Sequence, residues 1–322
     1  MNLPTLLTAT DPRLASPDPE IRRIAILDVA DEADEEHVPL LVAALADAAP
    51  AVRAAAAHGL LGFETQAAVQ GLAALLDDGD AAVREAAAHS LNELKEPASA
   101  AWLLPLAADG LPRVRTAVLR ALRELRVPEG AAPALRGLDH PDAALRREAV
   151  GVLGYLRHAP ALAALAALAQ GDPVDEVRRA AVGALAFATG DARAAAAAQA
   201  ALGDAAWQVR EEAATALGKL AWPPAAQALL PVLDDPYWQV RLRAARSLGR
   251  LRSVPAAPAL ADALAHPISN LRKEAALALG EIGDPRALAP LERAAQDADP
   301  EVRKSARLAI EQIRLQGREG DA

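Results

Sequence analysis

The sequence predicts an all-α fold, an α-solenoid of about ten helical hairpins of about 31 residues each. Three observations carry that prediction. An arginine preceded by an aliphatic residue recurs at Arg22, Arg53, Arg84, Arg115, Arg146, Arg178, Arg210, Arg241, Arg272 and Arg303, in steps of 31 or 32 residues. A second aliphatic residue follows seven positions later, as at Leu60, Leu91, Leu217 and Leu279. Six residues before the arginine stands Asp47, Asp78, Asp109, Asp172, Asp204, Asp235 or Asp297, with Ser16, His140 and His266 in the remaining units. A unit this short cannot bury its apolar face alone, so consecutive units must stack.

Taken in order, the first unit, about 1–34, has a leading segment interrupted by Pro12, Pro17 and Pro19, which suits a cap. The units that follow read as two helices each. "PEVRKSARLAIEQI" (300–313) places Val302, Ala306, Ala309, Ile310 and Ile313 at helical spacing, without strand-like alternation. Upstream, "DPRALAPLERAAQ" (284–296) reads the same way, with Asp284 as cap and Pro285 at the helix start. The alanine-rich run "GDARAAAAAQAALGD" (190–204) lies beside a 32-residue step and is a candidate change of curvature. About 285–315 forms the closing cap. The unbroken register predicts one solenoid over 1–315, and the tail 316–322, without an apolar face, is expected to be disordered.

The aspartate closing the turn and the arginine repeated on every layer predict a structural ladder, with Asp47, Arg53, Asp78, Arg84, Asp235, Arg241, Asp297 and Arg303 among its members. On that reading Arg241→Ala destabilises more than Arg246→Ala, because only Arg241 belongs to the ladder.

Units such as "DPYWQVRLRAARSLGRLRSVPAAPALADAL" (235–264) and the "ALGEIGDPRALAPL" turn (278–291) resemble the HEAT-like repeats named after phycobilisome lyases. The resemblance spans nearly the whole chain and implies a right-handed solenoid. It implies no single activity, since bilin lyases, assembly factors, scaffolds and a metal-dependent hydroxylase share the architecture. The hydroxylases of this kind carry repeated His-Glu pairs, and "HE" does not occur; Glu36 and His37 give only the reverse.

Composition narrows the classes further. The chain has 322 residues, no cysteine and a net charge of −9, so disulfides, zinc-thiolate sites and thiol nucleophiles are excluded. Residues 1–110 hold 18 Asp/Glu against 6 Lys/Arg, which argues against nucleic acid wrapped along the array, including binding of the HEAT-like DNA-glycosylase kind. No leader with a basic start and a long apolar run is visible, and no stretch is long enough for a membrane, so a cytoplasmic protein is the default expectation. No Walker, GxGxxG, GxSxG or HExxH pattern occurs, so no catalytic residue and no cofactor is assigned. His58, His89 and Glu93 share neighbouring registers, but exposed histidines are ordinary surface residues and no metal is assigned.

With the ladder arginine as zero, positions −2, +2, +5 and +9 fall on the face of the second helix away from the packed one. Position +9 runs from Asp31 and Glu93 through Tyr155 and Phe187 to Lys219 and Arg250. Tyr155 and Phe187 are expected either to stack and face a ligand or to fill space left by Gly151, Gly154 and Gly183. Trp207 and Trp238 stand three residues before the ladder arginine, where other units use proline, and read either as hydrophobic staples or as binding anchors. Arg243, Arg246 and Arg250 share one helix face near Lys219, forming either a solvated face or a cation block suited to carboxylates or phosphates.

These features predict a non-catalytic scaffold or assembly factor that holds a protein or peptide, with an acidic or phosphorylated segment suiting the arginines. The partner-binding residues are Tyr155, Phe187, Lys219, Trp207, Trp238, Arg243, Arg246 and Arg250. The alternative is a bilin-lyase-like or other cofactor-handling protein, in which Tyr155 and Phe187 flank a flat ligand.

Overall fold

The structure is a computed structural model that describes residues 11–320. Every regular element among the described residues is helical. By its contacts the chain divides into two compact units, one ending at Leu156 and the other beginning at Arg157. The first contains the helix Pro19–Asp31 and the hairpins Val38–Ala44/Pro50–Gly59, Gln66–Leu75/Ala81–Asn92, Ala100–Asp109/Pro112–Leu125 and Ala131–Gly137/Ala143–Tyr155. The second contains Leu162–Gly171/Asp175–Leu185, Ala192–Ala200/Trp207–Leu220, Ala225–Leu229/Trp238–Arg250, Ala257–Ala263/Ser269–Ile282 and Leu288–Ala294/Pro300–Gly320. Within each unit the second helices pack on one another in sequence, and the first helices form the other layer. The last helix runs from Pro300 to Gly320.

Helix starts follow local chemistry. Asp80 and Asp142 accept backbone N–H bonds from the first turn, Thr65 caps Ala68, and Pro19, Pro50, Pro112 and Pro300 occupy first positions. Trp207 and Trp238 are the first residues of their helices, in the place proline takes elsewhere. Several second helices end eleven residues after the ladder arginine in a left-handed residue. That residue is Gly283 in one unit and Arg126, Arg157, Ala221 or Arg252 in others, with φ of 50–58° for the last four.

The core is aliphatic and thin. Residues at −1 and +7, such as Val209, Leu217, Val240 and Leu248, are wholly buried, each contributing about 1.5–3 kcal/mol of transfer free energy. Small side chains let second helices of the second unit approach closely. A Cβ on Gly249 would lie 2.8 Å from the Ala278 Cα, and one on Gly280 the same distance from the Ala309 Cα. The buried hydroxyls of Ser90 and Ser247 donate to the Ala57 and Ala214 carbonyls of the preceding second helix, 2.8 and 2.6 Å away.

The ladder joins consecutive layers. Arg22, Arg53, Arg178, Arg210 and Arg272 each place Nε and Nη2 on both carboxylate oxygens of Asp47, Asp78, Asp204, Asp235 and Asp297 of the next unit, at 2.7–3.1 Å. The same arginine turns Nη1 onto the carbonyl six residues before it, as Arg53 does to Asp47 O at 2.8 Å. The aspartate meanwhile accepts the backbone N–H two residues on, as Asp47 does from Ala49. One half-buried fork thus closes a turn and ties two layers.

Three expected rungs, from Arg84, Arg115 and Arg241, do not form, and Arg303 stands in the last helix of the described residues with no further layer to meet. The Arg84 and Arg303 side chains bond only backbone carbonyls, Arg115 donates Nε to Ala107 O, and the Arg241 Nε is buried without an acceptor. The reason lies in the next layer. His140 and His266 replace the acid for Arg115 and Arg241, and Asp109 is drawn into the end of the helix Ala100–Asp109.

Three outcomes follow from this packing. Arg210→Ala is expected to cost about 2–4 kcal/mol, because it strands a half-buried carboxylate, and Arg241→Ala less than about 1 kcal/mol; chemical denaturation of both variants measures the difference, and equal losses would refute the ladder's role. The arginine forks hold the carboxyls of Asp47, Asp78, Asp204 and Asp297 below the usual carboxylate range. Their stabilisation is therefore complete above about pH 4 and is lost as pH falls through the lowered values; unfolding free energies between pH 7 and 3 should drop less in Arg178→Ala, which no longer holds Asp204 down. Finally, Ala221 is exposed at φ 50°, so Ala221→Gly should stabilise by about 0.5–1 kcal/mol, and a lower melting temperature would contradict that strain.

Candidate interaction surface

The second helices present their +2, +5 and +9 side chains on one face of each compact unit. In the first unit, His58 and His89 meet from adjacent layers with ring centroids 6.0 Å apart and tilted by 58°. Among the described residues, no group of three or more His, Asp or Glu side chains is placed to hold a metal ion. Further along, the buried carboxylate of Glu148 accepts Arg120 Nη2 at 2.8 Å and Arg123 Nη1 at 3.2 Å. Tyr155 is 44 % exposed, and the Arg126 guanidinium sits 5.1 Å from its ring centre. The left-handed backbone of Arg126 turns that side chain back from the helix end.

In the second unit, Phe187 is half-buried, whereas Lys219 and Arg250 are exposed. The two other arginines of the expected cation block are committed within the protein. Arg246 forks onto Glu274, with Nε–Oε1 at 2.7 Å and Nη2–Oε2 at 3.0 Å, and Glu274 is buried. Arg243 donates Nε to Glu211 Oε1 at 3.0 Å on the preceding layer. Arg120 to Glu148 and Arg246 to Glu274 both span 28 residues, so they form a second ladder from +5 of one layer to +2 of the next. That spacing was legible, since both positions were placed on the face; the partnership was not, because register assigns a residue to a face and not to a neighbour.

The tryptophans lie at the other end of these helices, beside the turns. Trp207 stacks on Tyr237 of the following layer, centroids 5.3 Å apart and planes within 12°. The Arg210 guanidinium approaches the same Tyr237 ring at 5.7 Å. Trp207 and Trp238 are half-buried and Tyr237 is 45 % exposed. The stack accounts for Trp207 as a packing element, and it adds Tyr237 as an exposed aromatic. The row of first helices holds a further hollow of about 550 Å³, lined by Ala73, Ala74, Trp102, Leu106 and Leu111, for which the sequence offered no signal.

Charge separates the units. Residues 1–156 hold 23 Asp/Glu against 14 Lys/Arg, whereas residues 157–322 hold 20 of each. No helix among the described residues is long and apolar enough to cross a membrane.

The sequence matches the profile of a family described as HEAT repeats in seven overlapping stretches, 10–92, 40–123, 69–139, 100–186, 131–218, 171–237 and 226–311. No curated protein matches it in sequence. Among solved structures, an engineered protein is 22 % identical over 98 % of this chain and 99 % of its own, with a TM-score of 0.54. YibA of E. coli is 18 % identical over 93 % and 98 %, at 0.54. A mutant of Kap121p is 19 % identical over 96 % of this chain and 37 % of its own, also at 0.54. At these identities the likeness concerns the fold.

The pairing of Arg246 with a buried carboxylate reverses the order of stability expected from the sequence. Arg246→Ala should destabilise more than Arg241→Ala, by about 1–2 kcal/mol, because it leaves the Glu274 carboxylate without its fork; parallel urea denaturation of the two variants measures this.

Proposed function

Because the chain belongs to the HEAT repeat family, we propose that it is a non-catalytic interaction scaffold that takes a protein or peptide partner on the second-helix face. The observation that carries this reading is the +9 row of the second unit, where Phe187, Lys219 and Arg250 stand on successive layers and the two cations are exposed. Rigid stacked helices hold such side chains at fixed spacing, so a partner meets them with little ordering cost. Arg243 and Arg246 satisfy Glu211 and Glu274, so their part is to stiffen the face, and Lys219 and Arg250 supply the charge for an acidic or phosphorylated segment. Tyr155, with Arg126 beside it, is a candidate anchor of the first unit, and Trp207 and Trp238 frame the turn edge. Resemblance to the phycobilisome-lyase subset of HEAT-like repeats, carried by "ALGEIGDP" and the Asp–Arg ladder, fits an assembly role in the same reading.

The test is capture from lysate of the native host with parent protein and with Lys219→Glu/Arg250→Glu. A protein enriched at least tenfold by the parent and lost with the double variant, at unchanged helicity, supports the reading. Equal enrichment by both would remove the second-helix face of the second unit from the interaction.

A further inference from the structure

Of the ladder arginines whose fork meets no aspartate of a next layer, Arg241 is the one whose Nε is buried without an acceptor among the described residues. In a closed rung, arginine Nε and Nη2 fork onto the next layer's aspartate, and one oxygen of that aspartate also accepts a backbone N–H two residues on. At Arg241 the next layer supplies His266 instead. The imidazole keeps half of the aspartate's task, since its Nδ1 accepts the Ile268 N–H at 3.1 Å. That bond leaves the ring proton on Nε2, so His266 offers a donor where other layers offer an acceptor. Burial, and then the charge of Arg241, lower the His266 pKa below the ordinary imidazole value, which keeps the ring neutral at neutral pH. Arg272 holds the same residue from the other side, with Nη1 on the His266 carbonyl at 2.9 Å.

Arg241 is left with a buried Nε that has no acceptor, the one such ladder-arginine atom among the described residues. The comparison with Arg115 is informative. It too faces a histidine, His140, whose Nδ1 accepts the Asp142 N–H, yet Arg115 turns back and donates to Ala107 O at 3.1 Å. Arg241 finds no such substitute. The nearby carboxylate of Asp235 is already held by Arg210 and by the Tyr237 N–H. A desolvated guanidinium without an acceptor costs free energy that an incoming anion recovers.

We infer that Arg241, with His266 beside it, is a docking slot for a carboxylate side chain of an acidic peptide, which completes the missing rung in trans. The slot lies on the turn edge, with Trp238 three residues before Arg241 and exposed Tyr237 adjoining it in sequence. It does not depend on the +9 row, so it stands or falls separately from the second-helix face.

The test uses fluorescein-labelled hexaglutamate and fluorescence anisotropy at fixed salt. The full-length parent should bind the peptide, and Arg241→Ala should raise its Kd at least tenfold. His266→Asp should do the same while raising the melting temperature, because it supplies the rung from within the chain; the higher melting point rules out unfolding as the cause of lost binding. Lys219→Glu/Arg250→Glu should keep the parent Kd within about threefold. Absence of peptide binding by the parent, or unchanged binding in both Arg241→Ala and His266→Asp, would overturn the slot. So would displacement of the bound peptide by inorganic phosphate but not by acetate at the same ionic strength, since that would mark a phosphate site and not a carboxylate site. Loss confined to Lys219→Glu/Arg250→Glu would assign the peptide to the second-helix face and equally overturn the slot.

Discussion

The interaction on which this architecture depends is the bidentate fork between an arginine of one layer and an aspartate of the next. It is formed by side chains that are mostly withdrawn from water, and each partner is also bonded to backbone. That double use matters because a half-buried ion pair alone gives little net stability. Here the arginine also closes the turn between first and second helices, by donating Nη1 to the turn's carbonyls. A rung closes only when the next turn arrives within reach with its aspartate, 25 or 26 residues after the arginine.

The aliphatic core and the ladder divide the work. Alanine and leucine give short helices close contact but little shape specificity, and glycine at Gly249 and Gly280 lets backbones approach nearly to contact. Uniform small-residue cores admit sliding of one layer on another. Directional bonds remove that freedom: the arginine forks at the turn edge, the Ser90 and Ser247 hydroxyls within the core, and the Glu148 and Glu274 pairs on the second-helix face. The face proposed to receive a partner is therefore stiffened by its own charges. Arg120, Arg243 and Arg246 are paired within the protein, and Lys219 and Arg250 stay exposed.

Departures from the template are where new properties arise. Histidine in place of aspartate at His140 and His266 opens two rungs, and the two arginines respond differently: Arg115 donates Nε to Ala107 O, whereas the Arg241 Nε is left without an acceptor. Aromatics in place of proline at the helix starts create the Trp207–Tyr237 stack, which links layers by surface contact at a point where proline could only stiffen one helix. A repeat protein can acquire a site in this way without loss of fold, since each layer is held by its two neighbours and tolerates one weakened contact.

The sequence by itself determined the all-helical repeat, the identity of the packed positions and the membership of the arginines in one register. Those properties are periodic and local: Val209 and Leu217 are buried because every unit places an aliphatic residue there. It also identified Lys219 and Arg250 as surface residues, because helix phase alone fixes the face. What only the tertiary structure decided is which charges are paired. Arg241 and Arg246 lie five residues apart on one helix, yet one leaves its Nε without an acceptor and the other grips a buried glutamate 28 residues away. Whether a side chain bonds or stays vacant depends on what the next layer presents at the end of its reach, and that is a distance between layers and not a property of either segment of sequence.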